Sequence, residues 1–285
     1  MTLTEKLKGK LENVGVEKRS IPFWSWNDKL DPEELREQIR DMKSVGIGGF
    51  FMHARGGLRT EYMGEEWMQC IEACADEAEK QGMHAWAYDE NGWPSGFGGG
   101  AVLEANSDYH LRWIVCEESE AYPETDEFTL GVYGIKGDKA EKTEVENGAE
   151  KYAKVYYKVN PYYVDLMNAE CIKTFIDLTH EKYKERVGTN GAIKGFFTDE
   201  PQYATGRFPW GVHYPVDFME KYGYDITDKL AYLFYDLEGA QKIRYDYWNL
   251  VSELMCTSFM KQISDWCKKN NMMFTGHMMM EDNIH

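Results

Sequence analysis

The sequence predicts an α/β fold of the TIM-type (β/α)8 barrel, and three observations support this fold class. Apolar segments of strand length alternate with amphipathic segments along most of the chain. The apolar segments are continuous rather than alternating, which is typical of parallel strands covered on both faces. Polar residues follow directly after each apolar segment, where the carboxyl ends of barrel strands carry active-site residues.

The first strand is predicted over Ser20–Trp26, and a helix follows it. Asp31 has the side chain of a helix N-cap, and Pro32 suits the first helical position. Gly46 is expected to end this helix, because glycine tolerates the left-handed backbone found at helix ends. Its apolar face is expected to comprise Leu35, Ile39, Met42 and Val45.

Two further strands flank a second helix. Ile47–His53 and Met83–Tyr88 are short apolar segments that read as strands. The residues between them predict a helix over Gly64–Gln81, which Gly82 ends. One face of this helix is expected to be buried, and it carries Trp67, Ile71, Cys74 and Ala78.

The strand–helix alternation stops after residue 107 and resumes after residue 160. Residues 108–160 contain three strand-like segments, with a charged stretch over Lys136–Lys151 between the last two. This pattern predicts a small antiparallel β insertion with one exposed hairpin, of a kind tolerated in the loops that follow barrel strands. The predicted organisation is a first part of the barrel at 1–107, the insertion at 108–160 and the continuation of the barrel at 161–285.

The rest of the chain adds two more strands to the predicted barrel. Helices are predicted over Asn168–Val187 and Gly239–Asn271, each followed by a strand, at Ile193–Thr198 and Met272–His277. The predicted barrel strands therefore number five, whereas a closed barrel needs eight. We expect an incomplete barrel that is the N-terminal part of a longer protein.

The composition restricts the classes of protein and partner. With 285 residues, of which 43% are hydrophobic, the chain can form a sizeable core. Its formal net charge of −17 disfavours nucleic acid and anionic membranes as partners. The six cysteines include no Cys-x-x-Cys pair and are expected to be reduced and mostly buried. The polar N-terminus and the absence of a long apolar segment predict a cytoplasmic protein.

The residues that follow the predicted strands combine carboxylates, aromatic rings and imidazoles. In chain order they are Trp24, Trp26, Asn27 and Asp28, then His53 and Arg55, then Asp89, Glu90, Asn91 and Trp93, then Asp199 and Glu200, and last His277, Glu281 and Asp282. A sugar site requires such a mixture, because hydroxyl groups need hydrogen-bond partners and the apolar ring face needs an aromatic surface. Cleavage of a glycosidic bond also needs two carboxyl groups. The sequence therefore favours a glycoside hydrolase.

Glu200 is the leading candidate for the general acid. It ends an apolar strand beside Asp199, and Pro201 is expected to hold it in extended backbone, so that its carboxyl group projects over the barrel mouth. Asp199 is expected to take part in catalysis by raising the pKa of the Glu200 carboxyl group, which suits a general acid. The second carboxyl group is left open between Glu281 and the neighbouring pair Asp89 and Glu90.

Other strand-end residues are expected to contact the sugar. Trp24 and Trp26 share one face of a regular strand, so one of them can serve as a stacking surface while the other packs deeper. The remaining candidates are Asn27, His53, Arg55, Asp89, Glu90, Trp93 and His277. Two other functions stay open, namely a barrel that binds carbohydrate without cleaving it, and a lyase or metal-assisted hydrolase that uses His53, Asp89 and His277. No metal-ligand motif is present, since His-x-His is absent.

Four segments resemble bacterial glycoside hydrolase-like barrels related to the family 106 α-L-rhamnosidases. They are Pro22–Asn27, Gly48–Arg55, Asp89–Gly96 and Phe197–Pro201, and Tyr163–Asn168 is similar to the segment that enters the helix before the fourth strand. The resemblance implies a (β/α)8 catalytic domain, with an acid at the position of Glu200 and a second glutamate from a later strand, which Glu281 matches. It also implies that calcium can serve as a cofactor, although no calcium-ligand pattern is visible in this sequence.

Overall fold

The computed structural model describes residues 2–12, 14–203 and 206–279, which divide into two compact units. The first unit comprises residues 1–101, 175–201 and 263–285, and the second comprises residues 102–174 and 202–262. The mixed α/β class is confirmed, with a parallel sheet and a separate antiparallel sheet.

The described residues form ten strands and ten α-helices. The strands are β1 (Phe23–Trp26), β2 (Gly49–Ala54), β3 (His84–Asn91), β4 (His110–Ser119), β5 (Thr129–Lys136), β6 (Lys139–Thr143), β7 (Lys151–Val164), β8 (Ile193–Asp199), β9 (Phe208–Trp210) and β10 (Met273–His277). The helices are α1 (Leu3–Glu12), α2 (Pro32–Ser44), α3 (Glu65–Gln81), α4 (Ala101–Ala105), α5 (Ala169–Leu178), α6 (His180–Val187), α7 (Tyr214–Tyr222), α8 (Ala231–Phe234), α9 (Ala240–Met255) and α10 (Gln262–Lys269).

The parallel sheet of the first unit has the order β1-β2-β3-β8-β10, and every neighbouring pair is parallel. All five strands predicted for the barrel therefore exist and share one direction. Among the described residues β1 and β10 are the outer strands, so a closed barrel is not shown. The parallel direction places the carboxyl ends of all five strands along the same edge of the sheet.

Helices α2 and α3 follow the predicted start and stop signals. The Asp31 side chain accepts hydrogen bonds from the backbone N–H groups of Glu33 (2.9 Å) and Glu34 (3.1 Å), and Gly82 ends α3 with a φ of 61°. The predicted face of α3 is buried, whereas Val45, which was expected on the apolar face of α2, is 76% exposed. Val45 follows the last helical residue, so the helical spacing no longer applies to it.

Both later helical segments are interrupted. The helix predicted over Asn168–Val187 divides at Thr179, whose backbone angles (φ −121°, ψ −77°) are not helical and whose hydroxyl donates to the Phe175 carbonyl at 2.6 Å. In the helix predicted over Gly239–Asn271, a π-helical segment at Cys256–Lys261 separates α9 from α10. Helical periodicity alone does not reveal such local changes.

The second unit is built on the antiparallel sheet, which has the order β6-β5-β7-β4-β9. Strand β6 lies in the charged stretch, where an exposed hairpin was expected, and it pairs with β5 in antiparallel orientation. Strand β9 comes from residues well beyond the predicted insertion and pairs with β4. The core of this unit includes Tyr133, Val155, Phe218 and Tyr247, all fully buried.

The cysteines are free thiols, as predicted. Cys70, Cys74, Cys171 and Cys267 are buried, Cys116 is half-buried and Cys256 is exposed. Within the described part of the chain, no helix combines the length and the apolar character that are needed to cross a membrane.

Candidate functional site

Aromatic and imidazole rings cover one face of the parallel sheet. The exposed ring of Phe23 lies at their centre, with centroids 4.9 Å from Phe197, 5.1 Å from His53, 6.2 Å from His277 and 6.3 Å from Tyr88. These five residues come from all five strands. Because strand residues alternate between the faces, the neighbouring residues on each strand point towards the helices instead.

Asp199 lies at the carboxyl end of β8 and contacts two residues of this face, Tyr88 and His277. Its Oδ2 lies 2.8 Å from the Tyr88 hydroxyl, and its Oδ1 lies 3.4 Å from His277 Nδ1. The Tyr88 hydroxyl is also 2.8 Å from the Gly92 carbonyl, so its single proton can be donated to only one of the two acceptors at a time. Burial and the bond to Asp199 raise the pKa of Tyr88, which keeps this phenol a donor.

Glu200 lies beside Asp199 and is only partly buried. Its Oε2 accepts a hydrogen bond of 3.0 Å from Trp93 Nε1, and its backbone N–H donates to the His277 carbonyl at 3.1 Å. The extended backbone expected from Pro201 is wrong, because Glu200 has a φ of +43°. The bonds to Trp93 and to β10 hold it in this left-handed conformation, which costs on the order of 1 kcal/mol or more for a residue other than glycine.

Ser95 connects the ends of β3 and β8. Its hydroxyl donates to Asp89 Oδ1 (2.6 Å) and accepts from the Asp199 N–H (2.8 Å), while its own N–H donates to the Asp199 carbonyl (2.9 Å). Neither Ser95 nor Tyr88 is among the site residues predicted from the sequence. Ser95 sits in a glycine-rich loop that looked like a simple turn, and Tyr88 looked like one more apolar strand residue.

Asp89 is fully buried and follows Tyr88 in β3. Its charge acts on Tyr62, Tyr183 and Tyr88. Burial raises its pKa far above the usual value, with the negative charges of Glu90 and Asp199 adding to the effect. Among the described residues no group of three or more His, Cys, Asp or Glu side chains could hold a metal ion, so His53, Asp89 and His277 do not form a metal cluster.

Glu90 is bound by the chain itself. Its carboxylate accepts five backbone N–H bonds, from Asn91 (2.8 Å), Gly96 (3.1 Å), Phe97 (2.9 Å), Gly98 (2.8 Å) and Gly99 (2.5 Å). Burial raises its pKa to about 7, although the backbone N–H groups act in the opposite direction. The positive φ angles of Gly96, Gly98 and Gly99 turn these N–H groups towards one point. We had expected Glu90 to contact substrate, but its oxygens are occupied and fully buried.

His53 is packed flat against Tyr88, with ring centroids 3.7 Å apart, and is 4% exposed. Neither of its ring nitrogens has a hydrogen-bond partner among the described residues. Burial lowers its pKa to about 4, and the charge of Arg55 contributes. His53 is therefore neutral near pH 7, with one donor and one acceptor nitrogen.

The depressed pKa of His53 predicts a loss of stability in acid. The unfolded chain takes up the proton near pH 6.5 and the folded chain only near pH 4, so the free energy of unfolding should fall by on the order of 3 kcal/mol across this interval. Urea denaturation at several pH values measures it, and His53→Gln should flatten the slope. His180, with a pKa lowered to about 3, adds to the slope in both proteins, so their difference is the test. Equal slopes would contradict the assignment.

The remaining strand-end candidates differ in the face of the sheet on which they lie and in their exposure. Trp24 and Trp26 face the helices, where Trp24 Nε1 donates to Gln38 Oε1 (2.9 Å) and Trp26, 1% exposed, packs on Trp67. The rings of Phe23 and Trp93 are more exposed (42% and 47%) and lie open for stacking. Asn27 and Arg55 are exposed in the loops that follow β1 and β2.

The second predicted carboxyl group is not placed. Glu281 and Asp282 lie outside the described residues, so Glu281 remains a prediction. In the described ranges, no group of three or more His, Cys, Asp or Glu side chains could hold a metal ion. These residues therefore do not provide a calcium site, and no chemical step is assigned to calcium below.

Comparisons with known proteins bear on the fold. No protein-family model and no curated protein matches the chain. Among solved structures, the rhamnosidase from Novosphingobium sp. PP1Y is similar, with a TM-score of 0.67 and 12% sequence identity over 95% of this chain. The match covers 47% of that protein, so this chain spans about half its length. The chain therefore shares its fold with that part of the rhamnosidase.

Proposed function

We propose that the chain is part of a glycoside hydrolase that cleaves an O-glycosidic bond by carboxylate acid/base catalysis, with Glu200 as the general acid. The proposal rests mainly on the partly exposed Glu200 carboxyl group, which Trp93 holds at the carboxyl end of β8. Active sites of (β/α)8 enzymes lie at this end of the strands. The likeness to a rhamnosidase fold makes an α-L-rhamnoside the first substrate to try.

Each side chain of the site has a proposed part in this reaction. The sugar stacks on the exposed rings of Phe23 and Trp93, and Glu200 protonates the oxygen of the leaving group. Asp199 already accepts from Tyr88 and lies close to His277, so it orients these two groups rather than attacking the sugar. His277, which is partly exposed, supplies hydrogen bonds to sugar hydroxyls, whereas His53, whose ring nitrogens are buried, packs behind the site against Tyr88.

The second carboxyl group of the reaction is assigned to Glu281 on the resemblance alone. Its separation from Glu200 decides the stereochemistry, because carboxyl groups about 5–5.5 Å apart give retention and about 6.5–9.5 Å apart give inversion.

A panel of 4-nitrophenyl glycosides, including the α-L-rhamnoside, tests the proposal with the protein in its natural full length. Release of nitrophenol with saturable kinetics from one member would support it. Saturable sugar binding without release would favour the second candidate, a barrel that binds carbohydrate without cleaving it. The absence of both sugar binding and nitrophenol release across the whole panel would overturn the hydrolase function and the binding function alike.

A further inference from the structure

The second unit contains a cavity of about 320 Å³ that shares no residue with the site described above. The cavity lies among the segment after β7, the first turns of α5 and α7, and the residues where α9 meets the π-helical segment. Its volume is at the lower end of the range of about 300–1,000 Å³ that is typical of small-molecule sites. It is therefore large enough for a compact ligand.

The strongest feature of the cavity is the carboxylate of Asp165, which is 2% exposed. Its Oδ1 accepts a hydrogen bond from the Met167 N–H at 3.0 Å, but no described residue donates to its Oδ2. Gly211 borders the same oxygen, and a Cβ at that position would come within 2.7 Å of Oδ2. This oxygen borders the cavity, so water or an occupant of the cavity has to supply its hydrogen-bond donor.

The rest of the lining offers more hydrogen-bond acceptors than donors. Asp217 and Glu170 add two carboxyl groups. The hydroxyl proton of Ser258 is donated to the Met167 carbonyl (2.9 Å), and that of Thr257 to the Glu253 carbonyl (2.8 Å). Among the described residues no lysine or arginine lines the cavity, and the side-chain donors of the lining are the Asn168 amide and the His213 ring. Because the carboxyl groups outnumber these two side chains, an occupant that pairs with the carboxyl groups has to bring donors of its own.

The charge of the lining favours a cationic occupant. Burial raises the pKa of Asp165 to about 7; the charge of Arg112 opposes this shift and the charge of Asp217 adds to it. Burial also raises the pKa of Asp217, against the charge of His213. A positive charge between the two carboxyl groups would relieve their repulsion and their poor solvation. An anion would instead be repelled by both carboxyl groups. A metal ion fits less well, because the described residues contain no cluster of three or more ligating side chains.

We propose that this cavity binds a small polyhydroxylated ligand that carries an ammonium group, with the ammonium donating to Asp165 Oδ2. An ammonium has three donors and no acceptor, which matches the acceptor-rich lining. The hydroxyl groups of such a ligand can donate to Asp217 and Glu170.

Titration calorimetry of the full chain with 1-amino-1-deoxy-D-sorbitol tests the proposal, with D-sorbitol as the neutral probe of nearly equal size. The amine remains charged at neutral pH, because an aliphatic amine titrates near the pKa of lysine, about 10.4. The amine is expected to bind saturably. The affinity for the neutral polyol is expected to be lower by roughly tenfold or more, which is the effect of losing one charge-assisted hydrogen bond.

Variants locate the binding. Asp165→Asn keeps an oxygen for the Met167 N–H and removes the charge, so affinity for the amine should fall roughly tenfold or more. Asp217→Asn should also weaken binding, and it serves if Asp165→Asn does not fold. Glu146→Gln, which removes the same charge from the exposed loop between β6 and β7, should leave affinity unchanged. The proposal would be overturned by equal binding of both probes or by no binding of the amine. It would also be overturned by binding of calcium alone, or by unchanged affinity for the amine in the folded aspartate variants.

Discussion

The variant Glu200→Gln is expected to lower the turnover of a glycoside with a poor leaving group by about 10²- to 10⁴-fold, while sugar binding survives. Glutamine is close to glutamate in shape and keeps an oxygen for the Trp93 Nε1 donor, but it has no proton to give to the departing oxygen. The loss should be smaller with a 4-nitrophenyl leaving group, which departs without protonation. Steady-state kinetics on the matched alkyl and aryl glycosides measures both effects.

The dependence on the leaving group separates an acid from a residue that merely shapes the site. A structural role would reduce the turnover of both substrates equally. Glu37→Gln, an equivalent change at an exposed position of α2 in the same unit, should leave both rates unchanged. Turnover by Glu200→Gln equal to that of the wild type would exclude Glu200 as the acid, and the activity itself would then need a different carboxyl group.

The second large effect is expected for Glu90→Ala, which should lower the free energy of unfolding by about 4 kcal/mol or more. The alanine variant leaves the five backbone N–H groups around the carboxylate without their acceptor. Each stranded buried donor costs about 1–3 kcal/mol, although water can reach those near the surface. Urea denaturation followed by circular dichroism measures the change.

Two further variants make the Glu90 result specific. Glu90→Gln retains one oxygen but turns an NH2 group towards backbone donors, so its loss of stability should be intermediate. Glu79→Ala removes an exposed glutamate from α3 and should change stability by about 0.5 kcal/mol or less. A value for Glu90→Ala within about 1 kcal/mol of the wild type would mean that the glycine-rich loop does not depend on this carboxylate.

The sequence predicted the five strands of the parallel sheet because continuous apolar segments have few other stable arrangements. It also predicted the N-cap of α2 and the end of α3, since Asp31 and Gly82 act through contacts within a few residues. The bounds of strand β6 within the expected exposed hairpin were not predicted, because its charged residues carry no apolar signal. Strand β9 depends on pairing with residues far away in the chain.

The site was predicted as a set of strand ends, but the side of the sheet on which each residue lies was not. In β1 both faces carry aromatic rings, so the pattern alone did not show that Phe23 and not Trp26 lies among the imidazoles. A shift of one residue exchanges the two faces of a strand. Adjacent Asp89 and Glu90 looked equivalent for the same reason. Their partners, Ser95 in one case and the glycine-rich loop in the other, are fixed only by the folded backbone.

The enclosure of Glu90 by backbone N–H groups also suggests a chemical use. Truncation to alanine would leave a preformed receptor for a small carboxylate, with the donors still directed by the glycine φ angles. Formate or acetate from solution would then bind where the Glu90 carboxylate was. Because a ligand that binds only the folded state stabilises it by an amount that rises with the logarithm of its concentration, the stability of the truncated protein would become adjustable by the choice of buffer.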